Sequence, residues 1–548
     1  MSNTTNKFSY WSISSSAIAL LLAIPLVIVV SNIFVPAGDV WQHLAETVLQ
    51  DYITNSLLLM FGVAIGSLIL GVGTAWLVSV TEFPGRKYFE WALLLPMAIP
   101  AYIIAYTYTG MLDFAGPVQT SLRELTGWGY GDYWFPEIRS LGGAALMLSL
   151  VLYPYIYLMA RAAFLSQSLC VLEVSRSLGN GPWRTFFYVG LPLARPAIVA
   201  GLSLVLMETL ADYGTVQYFG VSTFTTGIFR TWYGLDNAPA AAQLASILLV
   251  FVVVLVTLER ISRRQSRYHD TGRRKQALQR LKLVGWGRIS ATLFCLLTLL
   301  FGFLLPAAQL VSWAIDTYET MIDQRFITLF FNTLELATFS ALLALVLALL
   351  LNYARRLQPT YGVRFAVRAA SMGYAIPGTV IAVGVVIPFG WFDNTLDSWM
   401  REQFNISTGL LLSGTIAALL FAYMVRFLAV SLHAIESGLE RITPSMDEAA
   451  RVMGERPMGI LGRIHLPMLK GSLITALLLV FVDVLKELPA TLILRPFNFN
   501  TLAVRAYELA SDERLADTAS AALAIVVAGL IPVILLSRSL SKTRRYSA

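Results

Sequence analysis

The chain has 548 residues, of which 57% are hydrophobic and only 13% are charged. This composition excludes an ordinary soluble globular protein, in which about a quarter of the residues are charged. The net charge of +7 does not indicate nucleic-acid binding, because no aromatic stacking residues accompany the basic runs.

Apolar stretches long enough to cross a bilayer as α-helices, about 20 residues each, recur along the whole chain. We predict twelve membrane helices, and we expect the first to be retained rather than cleaved as a signal peptide. They lie near residues 13–35, 54–80, 89–112, 141–165, 196–219, 240–260, 288–315, 331–354, 366–392, 407–430, 469–494 and 518–538. The predicted fold class is therefore an all-α polytopic membrane protein in a lipid bilayer.

The basic residues indicate how the chain is oriented. Most of the 40 Lys and Arg residues lie in those connecting segments that are on the cytoplasmic side if the N-terminus is cytoplasmic. We therefore expect both termini in the cytoplasm. The most basic segment, 261–287, joins the sixth and seventh helices, and we interpret it as a solvated linker facing anionic lipid, with no nucleic acid as a partner.

The sequence repeats itself in two tandem halves of six helices. Asn55 in "ITNSLLLM" corresponds to Asn332 in "FFNTLELA", and "VGLP" in the first half corresponds to "IHLP" in the second. The spacing between matches is constant except for a two-position change between the third helix and the following cytoplasmic loop. Such a repeat predicts two similar structural units. We assign residues 1–260 to the first half, 261–287 to the linker and 288–548 to the second half.

Each half carries two acidic residues within an apolar helix. Glu208 and Asp212 of the first half correspond to Asp483 and Glu487 of the second. Residues four apart share a helix face, so each pair is expected to point in one direction, toward a central path between the halves. The alternative is a structural role, in which the acids pair with Lys486 or with backbone groups.

Each half also has a long loop between its fourth and fifth helices, at 166–195 (the first loop) and 438–468 (the second loop). In the second loop, "TPSMDEAARVM" predicts a helix that begins after Thr443, with Pro444 at its first position. Gly454 permits the left-handed turn that ends this helix. Two helix breaks are predicted beyond the acids, at Tyr213–Gly214 and at Pro489.

The two loops resemble the EAA loop of permease subunits of ABC importers. The second loop matches that pattern at Glu448, Ala449, Ala450, Gly454, Ile464, Leu466 and Pro467. The first loop keeps Glu173, Gly179, Leu191 and Pro192, but it has Val174 and Ser175 where the pattern has alanines and Val189 where it has isoleucine. With two fused halves, the resemblance covers nearly the whole chain.

Within that superfamily, "ETLADYGTVQYFG" and "KELPATLILRPF" are similar to stretches of fused ferric-iron permeases. The resemblance implies a type I importer fold in a bacterial inner membrane. It also implies two copies of a cytoplasmic ABC ATPase docked on the loops, and a periplasmic iron-binding protein. Fused permeases for thiamine or phosphonates share this layout and remain alternatives. A secondary transporter driven by an ion gradient can also have twelve helices in two halves, but it needs no loop for an ATPase.

No catalytic or cofactor site is expected in this chain. It contains no Gly-Lys dipeptide and hence no phosphate-binding loop, so ATP and Mg²⁺ are expected on the partner ATPase. Its four histidines (His43, His269, His433 and His465) lack metal-ligand spacing and are expected at the surface or at an interface. No stable metal site is predicted; the four acids would attract a ferric ion only transiently.

Overall fold

The computed structural model of the protein describes residues 10–129, 131–166, 175, 179, 181–264 and 280–545. In these residues the secondary structure is almost wholly helical. A two-residue parallel ladder joins β1 (Thr81–Glu82) to β2 (Leu281–Lys282).

The α-helices of the first part of the chain are α1 (Tyr10–Ser31), α2 (Asp39–Thr47), α3 (Leu49–Val80), α4 (Arg86–Ala92), α5 (Ala101–Leu112), α6 (Pro117–Thr126), α7 (Leu141–Ser166), α8 (Pro182–Thr185), α9 (Leu191–Ala211), α10 (Gly214–Tyr218), α11 (Phe224–Phe229) and α12 (Ala238–Arg264). Those of the second part are α13 (Trp286–Leu299), α14 (Leu305–Met321), α15 (Gln324–Leu357), α16 (Tyr361–Ala370), α17 (Gly378–Phe404), α18 (Ile416–Leu439), α19 (Pro444–Val452), α20 (Pro457–Ile460), α21 (Leu466–Leu485), α22 (Pro489–Leu494), α23 (Leu502–Ser511) and α24 (Ala519–Arg545). Short π-helical turns lie at Phe186–Gly190, Arg230–Gly234, Leu300–Leu304 and Leu461–His465, and 3₁₀ turns lie at Asn32–Phe34, Leu95–Ala98, Gly373–Ala375 and Ala516–Thr518.

Ten helices of the described residues are long and apolar enough to cross a membrane. An eleventh candidate is a pair of helical segments, Arg86–Ala98 and Ala101–Thr126, bent by 91° where they meet, and a shorter apolar helix covers Ala516–Pro532. Each of the twelve predicted segments overlaps one of these features. The prediction of an all-α polytopic membrane protein is confirmed.

Two predicted helices are interrupted by a proline that the two halves share. In the sequence "AIP", Ile99 and Ile376 are extended, and new helices begin after Pro100 and after Pro377. A proline disfavours the helical conformation in the residue before it and lacks the N–H that would continue the helix. The spans predicted at 89–112 and 366–392 are therefore each broken at this proline rather than continuous.

One compact unit contains Met1–Trp41, Ile228–Ile247 and Gln324–Val504. In it, α15, α18 and α21 pack against one another, and α1 packs on α16 and α17. Gly384 makes the contact of α1 with α17 close, because any side chain there would meet the backbone of Pro25. The Ser246 hydroxyl donates a 2.8 Å hydrogen bond to the carbonyl of Val29 and so fixes the end of α1.

The other compact unit contains Gln42–Gly227, Leu248–Asp323 and Arg505–Ala548. Its centre is the contact of α3 with α7, on which α9 also packs. Small residues allow this close approach: a Cβ at Gly62 would lie 3.0 Å from Ala145, and one at Gly201 would lie 2.8 Å from Ile156. Small residues at helix contacts are typical of membrane bundles, since they let the backbones approach.

The compact units do not coincide with the halves of the sequence. Helix α1 is grouped with the core of the second half, and α13 and α14 are grouped with the core of the first half. The assignment of 1–260, 261–287 and 288–548 describes the repeat in the sequence and stays a prediction, and most of the linker lies outside the described residues.

Candidate functional site

The second loop contains the short helix that its sequence predicts. Helix α19 begins at Pro444, after Thr443 in an extended conformation, and ends at Val452. Gly454 follows with a φ of 86°. Its N–H donates to the carbonyl of Arg451 at 3.0 Å, and the next N–H donates to the carbonyl of Ala450 at 3.1 Å. This double hydrogen bond is the usual glycine-based end of a helix.

One side of α19 is buried and the rest is exposed. Ala450 is fully buried, whereas Glu448, Ala449 and Gly454 are exposed. Val452 and Met453, at the end of the helix, are 88% and 75% exposed. Large apolar side chains at that exposure, rimmed by polar residues, are typical of a protein-binding surface. We call the exposed residues Glu448, Ala449, Val452, Met453 and Gly454 the docking surface.

An ionic contact joins α19 to a membrane helix. The carboxylate of Asp447 accepts a 2.8 Å hydrogen bond from Nε of Arg356, which lies at the end of α15. The same guanidinium donates to the carbonyls of Leu439 and Ile442, at 3.0 and 2.9 Å. Burial raises the pKa of Asp447, but hydrogen bonds from Arg356 and His465 outweigh this, so the pKa lies below its usual value.

His465 is buried, so the expectation of a surface or interface position is wrong. Its side chain is 1% exposed, and Nε2 lies 2.8 Å from the second carboxylate oxygen of Asp447. Its ring also meets the ring of Tyr353 edge-on, with centroids 5.8 Å apart. The carboxylate on α19 explains the burial, because a buried imidazole requires a hydrogen-bond partner.

The second loop re-enters the apolar region through the π-helical turn Leu461–His465. Helix α21 follows directly, with Leu466 and Pro467 as its first two residues. Ile464 and Leu466 are half-buried, and Pro467 is exposed. Proline is well placed in the first turn of a helix, since its missing N–H has no helical partner there.

The first loop is described only in part. Glu173 lies outside the described residues, and Gly179 has a φ of 82°, close to that of Gly454. A π-helical turn, Phe186–Gly190, again precedes the helix that begins with Leu191 and Pro192. The two π-helical turns therefore occupy equivalent positions in the repeat, and π turns inside helices are often found at functional sites.

The acidic pairs do not lie on one helix face, which corrects that expectation. Helix α9 ends at Ala211, before Asp212, and α21 ends at Leu485, before Glu487. The predicted breaks are confirmed, because α10 begins at Gly214 and α22 begins at Pro489. The second acid of each pair therefore belongs to the break, and the two pairs lie in different compact units.

Asp212 and Glu487 play the same local role in the two units. The carboxylate of Asp212 accepts hydrogen bonds from the N–H groups of Thr215 and Val216, both at 3.1 Å. The carboxylate of Glu487 accepts from the N–H groups of Ala490 and Thr491, at 2.9 and 3.0 Å. Each acid thus satisfies the free N–H groups at the start of the helix after the break.

Glu487 also has a charged partner that the sequence analysis missed. Arg426 of α18 lies 3.2 Å from it, and the two side chains are only 9% and 2% exposed. The hydroxyl of Thr491 donates to Glu487 at 2.6 Å and lies 2.6 Å from the hydroxyl of Tyr423. A single arginine in an apolar helix was the available signal, since such a residue needs an acidic partner.

The first acids of the two pairs lie within the helices, before the breaks. Glu208 is half-buried at the last turns of α9. Asp483 is also half-buried, and one of its oxygens lies 2.9 Å from Nζ of Lys486. The pairing with Lys486 is the one that the sequence offered as an alternative. A role of these acids in a translocation path stays a prediction.

Among the described residues, no group of three or more His, Cys, Asp or Glu side chains is placed to hold a metal ion. Cys295 is buried and free of any disulfide.

Known transport proteins are similar to this chain. Residues 67–267 and 344–545 each match the family described as binding-protein-dependent transport system inner membrane component. The Fe(3+)-transport system permease protein FbpB 2 of Haemophilus influenzae is 27% identical over 494 residues, which cover 89% of this chain and 90% of that protein. The ferric transport system permease protein FbpB of Actinobacillus pleuropneumoniae is 24% identical over 486 residues, covering 83% of this chain and 66% of that protein.

A third relative matches less than half of this chain. The molybdenum transport system permease protein ModB of Escherichia coli is 28% identical over 231 residues, which cover 40% of this chain and 96% of ModB. The repeated family match, the membrane helices and the two equivalent loop-to-helix junctions agree. The chain therefore belongs to the binding-protein-dependent transport system inner membrane components, as a multi-pass ABC permease subunit in which two type I permease halves are fused.

Proposed function

We propose that this chain moves ferric iron across the inner membrane as the permease of an ATP-driven importer. The observation that carries this proposal is the similarity to a Fe(3+)-transport permease over 89% of this chain and 90% of that protein. The similarity to the molybdenum permease extends over only 40% of this chain. An importer of another small ion or solute is the alternative, because substrate choice in such systems rests largely with the binding protein.

The docking surface is the proposed site for a cytoplasmic ABC ATPase. Val452 and Met453 are the apolar side chains that such a partner would bury, and Met458 of α20 is 62% exposed. In the first loop, Trp183 and Tyr188 are 74% and 79% exposed. Two loops favour two ATPase copies, which would bind the ATP and Mg²⁺. Both loops and both chain termini would then lie in the cytoplasm, as the distribution of basic residues predicts.

The proposed motion runs from the loops into the helices that end near the acids. ATP-driven movement of α19 would pass through the π-helical turn into α21, which ends at Leu485 beside Lys486 and Glu487. Rigid-body movement of packed helices is a common form of such switching.

The four acids would act in two ways. Glu208 and Asp483 would attract the cation, since carboxylate oxygens suit hard cations. Asp212 and Glu487 would hold the helix breaks in place, as their hydrogen bonds to the following helices favour. A periplasmic iron-binding protein would deliver the cargo, and the transient attraction of half-buried acids would let the ion leave again.

Co-purification tests the partner. The chain is purified from its native membrane in mild detergent and compared with a Gly179→Pro, Gly454→Pro variant. Proline cannot adopt the positive φ of either glycine, so both loop turns are disrupted. We expect about two ATPase copies per wild-type chain, from the two loops, and loss of the ATPase from the variant. Gly409→Pro, at another loop glycine with positive φ, is the control that keeps the ATPase.

Uptake tests the substrate. Cells that lack their own copy of this gene are supplied with the wild-type chain and given radioactive ferric iron, molybdate or sulfate. We expect uptake of iron alone. Uptake of molybdate or sulfate without iron would replace iron as the cargo and leave the importer assignment intact.

A further inference from the structure

The second loop is tied to the membrane helices by three side chains, Asp447, Arg356 and His465, which we call the latch. Each oxygen of the Asp447 carboxylate faces a different donor: Arg356 at 2.8 Å on one side and His465 at 2.8 Å on the other. These side chains are only 13%, 17% and 1% exposed. Hydrogen bonds to a charged group in such surroundings are stronger than neutral ones.

Asp447 is the member that joins separate elements. Arg356 belongs to α15. It also donates hydrogen bonds to the carbonyls of Leu439 and Ile442, which precede α19 in the chain. The other ring nitrogen of His465 is buried without a hydrogen-bond partner among the described residues. Among the described residues, the hydrogen bond to Asp447 is therefore the only one that holds the imidazole. Through it, α19 is connected both to α15 and to the last residue of the π-helical turn before α21.

The first half has no ionisable residue at any of the three equivalent positions. At the spacings of the repeat, Ser79 stands for Arg356, Leu172 for Asp447 and Gly190 for His465. Gly190 is instead covered by an aromatic ring, because a Cβ there would lie 2.5 Å from Trp76. Trp76 in turn corresponds to Tyr353, the ring that packs on His465. The equivalent positions are therefore uncharged in one half and ionic in the other.

We infer that Asp447 is a positioning residue of the second loop, which makes α19, the end of α15 and the start of α21 move as one body. The inference rests on the proposed function, because it gives the latch the task of passing the motion of a docked ATPase into α21. The equivalent positions of the first half carry no ionisable side chain and cannot form this tie. The two loops therefore transmit the motion of their ATPases unequally, and the second loop is the stiffer connection.

Two variants test whether the latch positions the second loop or only stabilises the fold. Asp447→Leu introduces the residue of the first half but leaves Arg356 and His465 buried without their carboxylate. The triple variant Arg356→Ser, Asp447→Leu, His465→Gly replaces all three residues by those of the first half and so removes every ionisable group of the latch. Glu440→Gln, which removes an exposed carboxylate just before α19, is the matched control.

The decisive readout is the amount of iron transported per ATP hydrolysed by the reconstituted complex of chain, ATPase and iron-binding protein. We expect this ratio to fall at least about fivefold in both latch variants. Fivefold is the lower end of the effect that one site ordinarily has on another when the two are coupled. The ATPase stays bound, and Glu440→Gln keeps the wild-type ratio. Amide hydrogen exchange of α19, measured on the purified chain, is expected to rise in both latch variants and to stay unchanged in the control.

An unchanged transport ratio in the triple variant would overturn the positioning role, even if hydrogen exchange in α19 increased. Unchanged exchange in both latch variants would contradict the latch itself. A wild-type complex that hydrolyses ATP without moving iron would contradict the proposed cargo instead, and hydrogen exchange together with the ATPase rate would then decide on the latch alone.

Discussion

Trp76 lies so close to Gly190 that a Cβ atom at residue 190 would come within 2.5 Å of the indole ring. The ring is itself held by Phe164 and Phe186, with centroids at 5.2 and 5.0 Å. It cannot move aside without disturbing both. The last residue of the π-helical turn in the first half therefore has to be glycine for a steric reason.

Gly190→Ala is accordingly expected to destabilise the chain. Overpacking of a filled core typically costs about 1–3 kcal/mol. The measurement is the thermal unfolding midpoint of the purified protein, followed by the loss of monodisperse material. Gly462→Ala, at a π-turn position with open space around it, is the control and should keep the wild-type midpoint. Equal midpoints for the two variants would contradict the packing described for Trp76.

The docking surface is tested by making its apolar end polar. Burying one large apolar side chain stabilises a contact by about 1.5–3 kcal/mol, so the variant Val452→Ser, Met453→Ser should bind its ATPase at least about tenfold more weakly. The measurement is the dissociation constant of the ATPase from the chain in lipid nanodiscs. Val284→Ser, which changes a side chain that is 85% exposed outside the loops, serves as the control. Wild-type affinity in the double variant would move the ATPase site away from α19.

Because Arg426 and Glu487 form a buried ion pair, replacing one of them should destabilise the chain more than replacing both. Removing one partner of a buried ion pair typically costs about 3–5 kcal/mol, because the other charge stays buried and unpaired. We therefore expect Glu487→Gln to lower the unfolding midpoint strongly, and Arg426→Met combined with Glu487→Gln to recover part of it. A double variant that is no more stable than Glu487→Gln would show that the two side chains act independently.

The half-buried acids are expected to affect transport more than folding. Glu208→Gln and Asp483→Asn remove a charge that attracts a cation, so iron uptake should fall while protein level and ATPase assembly stay normal. Glu402→Gln, an exposed acid at the end of α17, controls for loss of negative charge. Full uptake by both variants would leave these acids with a structural role only.

The latch also predicts a dependence on pH. The pKa of Asp447 in the folded chain is lower than its usual value of about 3.9, so its ionised form stabilises the fold. That stabilisation is complete above the usual value and disappears as the pH falls through the lower folded-state pKa. The difference in unfolding midpoint between the wild type and Asp447→Leu should therefore be larger at pH 5 than at pH 3. A difference that grows toward pH 3 would contradict the charged latch.

The sequence predicts the helices and the loops well, because both leave local signals. Apolar runs of membrane length identify the spans. Thr443 and Pro444 mark the start of α19, and Gly454 marks its end, shortly after Val452. The residues that predict the helix breaks, Gly214 and Pro489, likewise lie at the breaks themselves.

For contacts between distant residues, the sequence can show that a residue needs a partner but not which residue that partner is. Arg426 pairs with Glu487 from a different membrane helix, and His465 meets Asp447 across a turn and a second helix. A histidine near the end of a loop is predicted to lie at the surface as long as the carboxylate that faces it is unknown. The spacing of the two acids in each half suits one helix face, whereas the break that follows Ala211 or Leu485 ends the helix before the second acid.

Reconstitution tests the central claim most directly. The chain, the ATPase that co-purifies with it and the iron-binding protein are assembled with proteoliposomes, and the uptake of radioactive ferric iron is followed with ATP, with a non-hydrolysable ATP analogue and with an imposed ion gradient. We expect iron to accumulate only with hydrolysable ATP. Accumulation under the ion gradient without ATP, or ATP hydrolysis that moves no iron, would contradict the account.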